Sequence, residues 1–71
     1  MFMTRSQQSR LRSEALDTWR AAAHLVAARW DRFVHAEPDM RMFAFASYVA
    51  ALDSEEAAAA DLAAVAKPAA A

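Results

Sequence analysis

In a chain without a single glycine, Pro38 is the one strong break in the backbone between Arg5 and Ala66. Proline has no amide to donate and its ring clashes with the carbonyl four residues back, which costs about 3 kcal/mol inside a helix. Alanine dominates the sequence on either side, and alanine has the best intrinsic helix propensity. The chain is therefore expected to be all-α and to fold as an antiparallel helical hairpin. Helix 1 is placed at about 6–36, the turn at about 37–39 and helix 2 at about 38–66, with Pro38 at its first helical position and Glu37 closing the turn.

Residues 1–5 read as a flexible N-terminal arm, 6–66 as a single domain and 67–71, Lys-Pro-Ala-Ala-Ala, as a disordered tail. Thr4 and Gln7 have the spacing of a capping box, with Ser6 as a competing cap. Asp53-Ser54-Glu55-Glu56 reads as a helix start, so two readings stay open there: a break near 53 followed by a short third helix, or one helix continuing to 66. The lack of glycine and proline between Pro38 and Ala66 favours the second.

On helix 1, Leu16, Trp19, Ala23, Val26, Trp30 and Phe33 recur at steps of three and four. Such a period keeps the six side chains on one stripe facing a partner helix, and both tryptophans are expected in the core. Helix 2 is apolar on two sides. Met42, Phe45, Val49 and Leu52 form one stripe, expected against helix 1. Met40, Phe43 and Ser47, with Ala50 or Ala51 and with Tyr48 at the edge, form another. A helix that is hydrophobic all round must be covered all round. Met40, Phe43, Ser47, Tyr48 and Ala51 are therefore the expected protein interface, closed by a second copy into a homodimeric four-helix bundle or, failing that, by another protein.

Charge is divided between the halves. Residues 1–36 carry six Arg against Glu14, Asp17 and Asp31, whereas 37–71 carry Arg41 and Lys67 against six acids. Antiparallel packing would bring these halves together, with Arg20 opposite Glu56. The alternative use of the basic start is nucleic-acid contact through Arg5, Arg10 and Arg12. A DNA-reading helix-turn-helix, however, needs a polar recognition helix, and helix 2 is Met, Phe and Ala.

Chemistry finds few residues to work with. There is no cysteine, which excludes disulfide staples and thiolate zinc sites, and there is no glycine-rich phosphate loop. Asp31 and His35 sit at i and i+4, a spacing that two metal ligands can use, but a site needs three or four. His35 near a helix C-terminus with Asp31 as a solvated neighbour is the simpler account. No enzyme activity, cofactor or metal is expected. The longest uncharged run, Met42 to Leu52, is eleven residues against the roughly 20 that span a bilayer. The start turns polar after three residues, so no membrane span and no secretory signal are expected and the cytoplasm is the default. The expected function is a small protein-protein interaction module, an adaptor, inhibitor or accessory subunit, with a nucleic-acid-associated regulator as the alternative.

Overall fold

The computed structural model describes residues 4–66 as two helices packed against each other. Helix α1 spans Arg5–Val34, one 3-10 turn covers Pro38–Met40, and helix α2 spans Arg41–Ala66. The molecule measures 53 × 18 × 16 Å, and its radius of gyration is 16.4 Å, against about 11 Å for a compact chain of this length. The two helices thus form a rod one hairpin thick.

Local chemistry sets the ends of α1. Thr4 is extended, its Oγ1 accepts the Gln7 amide at 3.1 Å, and Gln7 Oε1 accepts the Thr4 amide at 2.9 Å. Each side chain satisfies an amide left without a partner at the helix start. Thr4 and Arg5 therefore belong to the helix and not to an arm; the remainder of the expected arm, and the expected tail at 67–71, lie outside the described residues. At the other end, α1 stops at Val34. The His35 amide donates to the Asp31 carbonyl and the Ala36 amide to Phe33, both at 3.2 Å. Glu37 is extended (φ −62°, ψ 150°), the geometry that a following proline enforces. Pro38 opens the 3-10 turn, and α2 continues from it directly.

Helix α2 runs without interruption through Asp53-Ser54-Glu55-Glu56. The third helix weighed from the sequence does not form, because no glycine or proline there frees the amides that an Asp53 cap would have to satisfy.

The seam between the helices differs from the expected one. Ala44, Ala51 and Ala58, only 5%, 4% and 7% exposed, are the buried residues among those described. With half-buried Tyr48, Glu55, Leu62 and Val65 they trace steps of four and three along α2. Across from them lie Leu16, Trp19, Ala23, Val26 and Phe33, half-buried on the stripe expected of α1. Met42, Phe45, Val49 and Leu52, expected against α1, instead lie more than a third exposed. The reason is steric. Helix axes approach to about 8–10 Å according to the side chains at the contact, and bulky α1 side chains pack closest onto a partner surface of alanines.

Near the turn, four rings cluster. Trp30 lies 5.1 Å from Tyr48 and 5.5 Å from Phe33, Phe33 lies 5.3 Å from Phe45, and Phe45 lies 6.3 Å from Tyr48. Tilted ring pairs at such spacings contribute about 0.5–1.5 kcal/mol each beyond their buried area. Trp30 is nevertheless 47% exposed, which corrects its expected place in the core. It sits at the edge of the seam, with one edge packed and the other open.

Farther along, the Trp19 indole Nε1–H donates to Glu55 Oε1 at 2.9 Å, a partly buried link between the helices. The Arg20–Glu56 pairing expected from the sequence is not made. Among the described residues the one ion pair is the exposed His35–Asp31 contact, because Arg20 lies about 100° round the helix from the inward Trp19. Glu55→Ala removes the acceptor of a partly buried donor and is expected to lower stability by about 1–3 kcal/mol. Glu55→Gln keeps an acceptor and is expected to lose less than half as much, as thermal unfolding would measure.

Candidate interaction surfaces

Because the seam takes the alanine stripe of α2, the large side chains flanking that stripe fall on two opposite faces of the rod. On the first face, Leu25 and Arg29 of α1 border a shallow depression with Ser47, Ala50, Ala51 and Ser54 of α2. Ser47 also borders the next hollow, of about 290 Å³, with Arg32, His35, Ala36, Met40, Phe43 and Ala44. The two hollows share Ser47 and follow one another from the turn along the hairpin, lining up as a groove. Phe43 is 72% exposed and Met40 about half exposed.

The second face carries more apolar surface. Trp30 and Val34 on α1 sit four residues apart, as do Phe45 and Val49 on α2, with Leu52 one turn further, and all five are more than a third exposed. The contacts of Trp30 with Tyr48 and of Phe33 with Phe45 tie these stripes together across the seam. Met42, on the outer edge of the same face, is 88% exposed.

The residues expected to form one interface are therefore divided. Met40, Phe43 and Ser47 come together in the groove. Tyr48 turns toward α1 onto Trp30, and Ala51 is buried in the seam. Ala51, 4% exposed, packs against its own hairpin and lends the groove only its edge. The sequence reading missed Trp30, Val34, Phe45, Val49 and Leu52 as one open face. Seven-residue spacing did not single out the inward side, because Ala50, Ala57 and Ala64 share the spacing of Ala44, Ala51 and Ala58.

The remaining candidates do not converge. Arg5 and Arg12 share one side of the first turns with Gln8 and Ser9, while Arg10, five residues after Arg5, lies about 140° away. All three are exposed. The His35 Nδ1 donates to the Asp31 carbonyl at 2.8 Å and lies 3.4 Å from the Asp31 carboxylate, with both side chains about three-quarters exposed. Among the described residues no three potential metal ligands come together, and no helix is long and apolar enough to cross a membrane. No family model, curated protein or solved structure matches the chain.

Proposed function

We propose that this chain is a protein-interaction module whose hairpin is half of a four-helix bundle, and that two copies pair through Trp30, Val34, Phe45, Val49 and Leu52. One observation carries the reading: among the described residues the fully buried interior is three alanines, while every large apolar side chain keeps part of its surface open. A chain of 7.8 kDa closed into a globule exposes about 4,400 Å²; this one exposes 5868 Å². Besides the three alanine methyl groups the seam only half-buries its large side chains, and apolar burial at about 25 cal/mol per Å² has to offset the entropy of ordering some sixty residues. Pairing two such rods face to face shelters both aromatic ends and supplies the missing interior.

The reading is tested by measuring mass in solution. Light scattering of the full chain at micromolar concentration is expected to give about twice 7.8 kDa, equally at 50 and 500 mM salt, because burial of apolar surface responds little to screening. A folded species of 7.8 kDa would overturn it, as would association that collapses as salt rises.

A further inference from the structure

We infer that the groove on the other face, between Arg29 and Arg32 of α1 and Met40 and Phe43 of α2, receives an acidic amphipathic helix of a different protein. The inference rests on the reading above in one respect: the pairing face leaves this groove uncovered.

Three features select that occupant. The first is length, since the groove runs from Met40 to Ser54, about 21 Å of helix and enough for roughly four turns of a docked helix. The second is the floor. Phe43 and Met40 offer an apolar anchor point at one end, and Ser47, Ala50 and Ser54 leave room for a third backbone to approach along the rest. Helix-in-groove recognition uses this combination, with anchors of the incoming helix spaced three and four residues apart.

The third feature, charge, decides between partners. Arg29 is half-buried along the groove and Arg32 borders its deeper end. Among the described residues no carboxylate lies within 4.0 Å of either guanidinium. One turn apart, the two line the α1 edge of the groove as a pair of unmatched bidentate donors, which suits carboxylates at i and i+3 or i+4 of the incoming helix. A second copy using this groove across a two-fold axis would bring the same arginine-edged surface against itself. Like charges so placed oppose pairing, so a chain of complementary sign is favoured over a self-contact.

Two labelled sixteen-residue helical peptides test the inference by fluorescence anisotropy on the full chain. Both carry leucines three and four residues apart, one with glutamates beside that stripe and the other with lysines. The glutamate peptide is expected to bind saturably and at least tenfold more tightly than the lysine peptide at 50 mM salt. Arg29→Glu with Arg32→Glu is expected to reverse that order, and Phe43→Ala to weaken the glutamate peptide about tenfold or more. Equal binding of the two peptides, no saturable binding, or an order unaffected by the double reversal would overturn the inference. So would loss of the dimer mass in the double variant, because the groove would then be the pairing face. A wild-type chain that is monomeric yet keeps the peptide preference would sink the pairing proposal and leave this one standing.

Discussion

Under the proposed pairing, Leu52→Asp is expected to give a monomer that also loses most of its helical signal. On a solitary hairpin the substitution would be mild, because Leu52 is 37% exposed and most surface changes stay within about 0.5 kcal/mol. In the paired bundle it places a carboxylate in an apolar contact without a partner, and an uncompensated buried charge costs about 3–5 kcal/mol. A loss of 3 kcal/mol is more than a hundredfold in dissociation constant. Helicity should fall with the mass, since a lone hairpin leaves its large side chains only half-buried, and the unfolding midpoint of the wild-type chain should rise with concentration. Phe43→Asp is the matched control and should leave the mass unchanged. If Phe43→Asp dissociates the protein and Leu52→Asp does not, the groove is the pairing face and the assignment of faces is reversed.

The second large effect is expected at Ala51. With 4% of its surface open, Ala51 sits where the helices approach, and Ala51→Leu forces three further heavy atoms into the seam opposite the α1 stripe. Overpacking of this kind costs about 1–3 kcal/mol, which for a chain of this size moves the unfolding midpoint by roughly 4–8 °C per kcal/mol. A fall of about 10 °C is expected by circular dichroism. Ala46→Leu, on the exposed side of the same helix, is expected to change the midpoint by no more than a few degrees. Equal responses at the two positions would mean that the alanine stripe does not set the helix separation.

The difference between the expected and the observed seam has a single origin in how small and large side chains share it. The heptad on α1 was legible because its Trp, Val and Phe are large, and large apolar residues at helical spacing announce a buried side. On α2 the same logic pointed to Met42, Phe45, Val49 and Leu52, and it failed because a helix apolar on several sides leaves its inward face undetermined by hydrophobicity alone. Shape settled the matter: the alanines lie opposite the bulk of α1. A rotation of one residue about α2 was then enough to bury Ala51 and to turn Tyr48 onto Trp30. The same rotation put Phe45, Val49 and Leu52 on the open face. Charge was a poorer guide still, because exposed ion pairs contribute less than about 1 kcal/mol and yield to packing. Thus Trp19 and Glu55 link the helices where Arg20 and Glu56 were expected to.

By itself, the sequence determined that this protein is helical, where its backbone turns, and how α1 begins, since helix propensity, proline geometry and the Thr4–Gln7 cap act within a few residues of chain. Only the tertiary structure decided which side of α2 meets α1, and hence which apolar side chains are left open on each face. That choice is made by the fit of two surfaces brought together across the turn, a non-local property that no stretch of one helix contains.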